Sequence, residues 1–137
     1  MSAYTIAKIA LIKMCELLDA EMPEIKFSIL GPGWVKTKIH QAVLDAKENA
    51  GIAYDRTVEK FASDDFVPIE QVLDCCEWIF EQPREIVGGR NFSAQYDEFD
   101  SEELIDQLKS DPDLYKLRRA GNNLSETKAK IGMRHNL

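Results

Sequence analysis

Glycine is scarce in this chain and never falls in the pattern that cradles phosphates. The seven glycines stand at 31, 33, 51, 88, 89, 121 and 132. None forms a Gly-x-Gly-x-x-Gly or Gly-x-x-x-Gly-x-Gly run after a strand, so a dinucleotide's pyrophosphate finds no backbone cradle here. Gly88-Gly89 reads as a turn, too short to be a phosphate loop. Cysteine is also rare: Cys15, Cys75 and Cys76, with no Cys-x-x-Cys. The two histidines, His40 and His135, sit in no metal-ligand spacing. The thiols read as reduced and buried on helices, and no metal is expected. The longest apolar run, Ile9 to Ile12, is bracketed by Lys8 and Lys13, far short of the roughly 20 residues that span a bilayer. No basic-then-apolar leader with a small-residue cleavage site is seen, so a cytoplasmic location is expected. Positive charge is in deficit as well: 17 basic against 24 acidic residues, net −7. The excess lies in residues 41–96, with five basic and eleven acidic groups. That argues against a nucleic-acid surface and for a solvated helical exterior.

What remains is a chain of 137 residues, 45% hydrophobic and 30% charged, an ordinary globular composition without internal repeats. Residues 3–20 read as one helix, with Ser2 a candidate N-cap and Ile6, Ile9, Ala10, Leu11, Met14, Leu17 and Leu18 as a broad apolar stripe. The stripe suits core burial and leaves width for a second contact. Met22-Pro23 ends it, because the residue before proline avoids the helical region. Near its start stand Tyr4 and Lys8. Four apart on a helix, they share a face about 6 Å apart along the axis. A lysine ammonium beside a phenol favours the phenolate, which suits general acid–base work near neutral pH. The plain alternative is a helix-surface pair.

Residues 25–30 read as a short buried strand, followed at once by Gly31-Pro32-Gly33-Trp34-Val35-Lys36-Thr37. Glycine lets backbone approach a ligand closely, and proline stiffens the path. The plain alternative is a strand-to-helix turn with Thr37 as N-cap. Two helices are expected over 41–50, ended by Gly51, and over 54–62. Trp34, Lys36, Lys38, His40 and Tyr54 are candidates to face a substrate there, although the lysines suit solvent and His40 an exposed helix position. A further helix starts at Pro68 and stops before Pro83, with Ile69, Val72, Leu73, Cys76, Ile79 and Phe80 as its apolar face. Residues 91–96 alternate as a second strand. Beyond Asp97, Asp100-Ser101-Glu102-Glu103 has the look of a capping box before Leu104, Ile105 and Leu108. Asp111-Pro112 opens a second short helix through Leu114 and Leu117, with Gly121 as its cap. Residues 122–137 read as a frayed polar tail.

Tyr4-x-x-x-Lys8, then a strand, then Pro32-Gly33-x-x-x-Thr37 resembles the short-chain dehydrogenase/reductase family over residues 2–96. The resemblance implies an α/β fold: the C-terminal part of a Rossmann-like, doubly wound parallel sheet, with strands 25–30 and 91–96 as neighbours. It divides the chain into 1–96, half of a dehydrogenase domain, and 97–137, a helical extension. It implies NAD or NADP as cofactor and a carbonyl/alcohol pair as substrate. Tyr4 would exchange the proton at the substrate oxygen. Lys8 would lower its pKa and hold the nicotinamide ribose. Pro32, Gly33 and Val35 would line the nicotinamide pocket, with Thr37 offering its hydroxyl. The helix at 3–20 would also build a homo-oligomer interface. The family's Gly-rich strand–turn–helix and its catalytic serine would lie upstream of Met1, so the isolated chain is expected to be inactive. The competing expectation is a non-catalytic interaction or dimerisation module derived from that fold, in which an unpaired strand edge drives self-association.

Overall fold

The computed structural model describes residues 2–119. Its elements are α1 (Ser2–Glu21), β1 (Ile29–Gly31), α2 (Lys38–Ala46), a 3₁₀ turn over Lys47–Ala50, α3 (Ile52–Ser63), α4 (Ile69–Glu81), α5 (Arg84–Val87), β2 (Asn91–Ser93) and α6 (Glu102–Ser110). The chain is mostly helical, with a two-stranded parallel sheet. Ile29, Leu30 and Gly31 face Asn91, Phe92 and Ser93 in register. Both strands are shorter than the 25–30 and 91–96 expected from alternation. The backbone of 25–28 makes other bonds: Ile25 N–H donates to Met22, Phe27 N–H to the Asp19 carboxylate, and Gly89 N–H to the Phe27 carbonyl. The far edge of β1 has no partner strand among the described residues.

The core lies toward the C-terminus. Cys75, Trp78 and Ile79 of α4, Ile86 and Val87 of α5, Phe92 and Ala94 at β2, and Leu104 and Leu108 of α6 form one buried cluster. Phe92 is 1% exposed and meets Trp78 and Tyr115 edge-on, each at 5.5 Å between ring centres, a favoured aromatic geometry. So α6, beyond the family-like segment, packs into the same core as β2. The buried face of α4 is rotated from the one its sequence suggests. Val72 and Ile79 face inward as expected, but Ile69, Leu73, Cys76 and Phe80 are exposed, and Cys75 and Trp78 take the interior.

Two cations tie helix ends to strand starts. Lys26, just before β1, donates to the carbonyls of Ile79, Phe80 and Gln82 at 3.1, 2.6 and 2.7 Å. Arg90, just before β2 and 3% exposed, donates to Ile86, Leu108 and Asp111 carbonyls at 2.9, 2.7 and 3.1 Å. The last carbonyls of a helix lack intrahelical donors, and cations suit that end of its dipole. Burial lowers the Arg90 pKa, against a smaller opposing pull from Asp111.

Several ends differ from their sequence reading. Ser101 is the N-cap of α6, its Oγ accepting from Leu104 N–H at 3.2 Å. The third residue on from the cap is thus Leu104, so the cap is one-sided and not a reciprocal box. Residues 112–115 form turns in place of the expected second helix. Tyr115 there has φ +63°, which a helix does not accept, and its carbonyl accepts from Asn91 N–H at 3.0 Å. Gly121 and the tail at 122–137 lie outside the described residues. Cys15 and Cys75 are buried, whereas Cys76 is exposed, and all three are free thiols. Burial pushes the Cys75 thiol up to about 11, helped by Asp97 and Cys76.

Candidate functional site

The turn after β1 is held from two sides. Ala94 N–H donates to the Gly31 carbonyl at 2.9 Å, and Val67 N–H to the Trp34 carbonyl at 2.8 Å. Gly33 between them has φ +73°, and a Cβ there would lie 2.6 Å from Gln95 Oε1 and 2.9 Å from Val67 Cγ2. Both the backbone conformation and the space therefore demand glycine. Past the turn, Thr37 occupies the N-cap of α2 in extended conformation, but its side chain makes no capping bond. The N-cap reading of Thr37 is right in position only, and the hydroxyl remains uncommitted among the described residues.

His40, one turn into α2, is not the exposed helix residue its sequence suggests. Its ring stacks on Trp34 at 5.1 Å and 14°, with Phe61 and Phe66 at 6.3 and 6.0 Å. Its Nε2 donates to the Val35 carbonyl at 2.9 Å. Lys36 lies 5.6 and 5.4 Å from the Phe61 and Phe66 ring centres and pairs with Asp64 at 3.0 Å. These contacts weld α2, α3 and the turn into a small aromatic body separate from the main core.

A cavity of about 550 Å³ opens between this body and the start of α1. Tyr4, Gly33, Trp34, His40, Arg56 and Thr57 are on its walls, with Ile39, Val43 and Ala53. So the structure brings together Tyr4 and the turn, which stand some thirty residues apart in the chain. Pro32, Val35 and Thr37 belong to the same turn but do not line the cavity, and Lys8 stands outside it. The Lys8 ammonium is 5.4 Å from the centre of the Tyr4 ring, over its face. That contact is a cation–π approach; no hydrogen bond to the phenol is formed. Tyr4 is 66% exposed. Tyr54 lies on a different cavity, with Asp45 and Glu48, and Lys38 is the first residue of α2.

Arg56 and Thr57 escaped the sequence reading. The helical spacing that places Ala53, Arg56 and Thr57 on one face of α3 was legible, but nothing in the sequence says which face meets the turn.

The broad stripe of α1 does not enter the core. Cys15 alone is buried on this helix, while Ile6, Ile9, Leu11, Met14 and Leu17 are 42–67% exposed. The helix is fixed at its C-terminal half instead. Arg84 grips the Asp19 carboxylate with Nε and Nη2, both at 3.1 Å, and also donates to the Asp19 carbonyl. Gly88 passes so close that a Cβ would lie 2.7 Å from Asp19 Oδ2. Arg118 reaches back to Glu16 at 2.6 Å, and Lys13 adds a second bond at 2.9 Å.

Among the described residues no cluster of three or more His, Cys, Asp or Glu could hold a metal ion. No helix among them is long and apolar enough to cross a membrane. Comparison with known protein families, with curated proteins and with solved structures finds no match.

Proposed function

We propose that this chain is the C-terminal part of a Rossmann-like domain of the short-chain dehydrogenase/reductase type, with Tyr4 as the proton-exchanging group of a carbonyl/alcohol site. The observation that carries the reading is the shared cavity: Tyr4 and the Gly33-Trp34 turn, at the carboxyl end of a parallel strand, face one space. In open α/β sheets ligands sit outside the carboxyl ends of strands.

The residues present fit one end of NAD or NADP only. Gly33 lines the cavity, and the Thr37 hydroxyl on the same turn makes no capping bond and could meet a carboxamide. Pro32 and Val35 stiffen and flank the same turn. No Gly-rich helix start is present for the pyrophosphate. NAD or NADP held there would supply the hydride chemistry. Tyr4 passes a proton to or from the substrate oxygen, with the Lys8 ammonium over its ring. His40 is bound by Val35 and keeps Trp34 in place. On this reading turnover needs the missing cofactor half, so the isolated chain is inactive.

A nicotinamide-nucleotide titration tests this. With the ¹⁵N-labelled chain and millimolar NADH, amide shifts should concentrate at Tyr4, Lys8 and 33–37. An unchanged spectrum there overturns the assignment.

The exposed apolar face of α1 and the open edge of β1 favour a second reading, a dimerisation module without catalysis. Concentration-dependent elution together with an unchanged NADH spectrum would select it.

A further inference from the structure

The cavity that Tyr4 shares with the turn contains one uncommitted charge. Trp34, Ile39, Val43 and Ala53 make its apolar walls. Two of its polar side chains are already used. Thr57, 1% exposed, donates to the Ala53 carbonyl at 2.7 Å, and His40 donates to Val35. Tyr4 and Arg56 remain. Arg56 makes no hydrogen bond or ion pair within the described residues. The neighbouring cations are taken, Lys36 by Asp64 and Lys60 by Asp65. Glu59 lines a second cavity of about 490 Å³ together with Arg56 and Trp34, yet forms no ion pair with Arg56.

An exposed guanidinium beside an open, apolar-walled cavity selects a particular ligand chemistry. Its planar fork matches a carboxylate through two parallel N–H···O bonds. An anion entering apolar surroundings must meet such a partner or lose its hydration uncompensated. One cation balances one negative charge, and Asp55 and Glu59 on the same helix oppose a dianion. The cavity volume falls in the range for small organic ligands, roughly 300–1,000 Å³.

We propose that Arg56 sets the specificity of this cavity and that the substrate is a small monocarboxylate with an apolar body: an oxo or hydroxy acid whose carbonyl or hydroxyl meets Tyr4 and whose carboxylate meets Arg56. The proposal rests on the carbonyl/alcohol reading of the site. It makes Arg56 a binding residue and gives it no part in proton transfer.

The test compares 4-methyl-2-oxopentanoate with its uncharged counterpart 4-methylpentan-2-one, each titrated into the full chain and followed by ¹⁵N–¹H shifts. The acid should move Tyr4, Gly33, the Trp34 indole and residues 53–57, and bind roughly ten-fold or more tightly than the ketone, the worth of one charge-assisted pair. Arg56→Gln should abolish that advantage and leave the ketone unchanged, while Arg56→Lys, which keeps charge but not the fork, should retain part of it. Equal binding of acid and ketone, unaltered by Arg56→Gln, overturns the proposal; ketone shifts at Tyr4 and Gly33 would then leave the carbonyl-site reading standing. Inorganic phosphate displacing the acid at equal concentration overturns it in favour of a phosphate site. Binding by neither compound also overturns it, and the NADH titration then judges the underlying reading on its own.

Discussion

The two halves of this molecule spend their apolar residues differently. From Val67 onward many of them build a core, with Phe92, Val87, Ala94 and Leu108 at most 1% exposed, although Ile69, Leu73, Phe80 and Tyr96 stay outside it. Before Val67 only Cys15 and Thr57 are buried among the described residues, and α1 carries five large apolar side chains with 42% exposure or more. One half makes the stability and the other presents surface. A core residue answers to its neighbours in the same chain, whereas the apolar residues of α1 meet no covering element among the described residues.

Substitutions should divide along this line. Phe92→Ala should cost the most, about 3–5 kcal/mol in denaturant unfolding, because it empties the centre of the aromatic cluster. Arg90→Met should follow at roughly 2–3 kcal/mol, since it strands three carbonyls at the ends of α5 and α6; a neutral result would remove the charge-capping account. Gly33→Ala should cost about 1–2 kcal/mol for the left-handed backbone alone, and should also shift the Tyr4 and Trp34 resonances. Tyr4→Phe and Ile9→Gln should stay within about 0.5 kcal/mol in the monomer, as surface changes do. If Ile9→Gln destabilises by more than 1 kcal/mol at high protein concentration only, α1 is a self-association surface.

Acid should act on the seam between the halves. Burial raises the Glu16 carboxyl, but the bonds from Lys13 and Arg118 more than reverse it, leaving it below the ordinary 4.5. A carboxyl lowered on folding takes its proton first in the unfolded chain. Its contribution is therefore complete above about pH 5 and fades as pH falls through the lowered value. Arg118→Gln should weaken that dependence between about pH 5 and 3 in thermal melts. An unchanged profile would mean the Arg118–Glu16 contact contributes nothing.

Most of the helices were readable from sequence, because helical spacing, Pro23, Pro83 and Gly51 mark where backbone must change course, but the helix expected after Pro112 is a turn, α5 gave no signal, and both strands are shorter than their alternation suggested. Faces were less readable. On α4, Leu73 and Cys76 are as apolar as Cys75 and Trp78, so periodicity alone could not say which pair turns inward. On α1 the stripe was legible as apolar but not as uncovered. Tyr4 and the turn were each visible as candidates. Their meeting in one cavity depended on how α1 is anchored through Asp19 and Glu16, contacts 65 and 102 residues distant in sequence. Arg56 gave no signal, since an arginine on a polar helix face looks the same whether it faces water or a cavity.

The two lysine and arginine clamps differ in reach, and that sets an order of assembly. Arg90 closes loops of 18 and 21 residues to Leu108 and Asp111, whereas Lys26 must find carbonyls 53 to 56 residues away. Short loops close at lower entropic cost and form earlier. The β2–α6 unit should thus make the folding nucleus, and β1 should join it late. In chevron measurements Arg90→Met should slow folding, while Lys26→Met should chiefly hasten unfolding. The last strand to arrive would then be the one that carries the site.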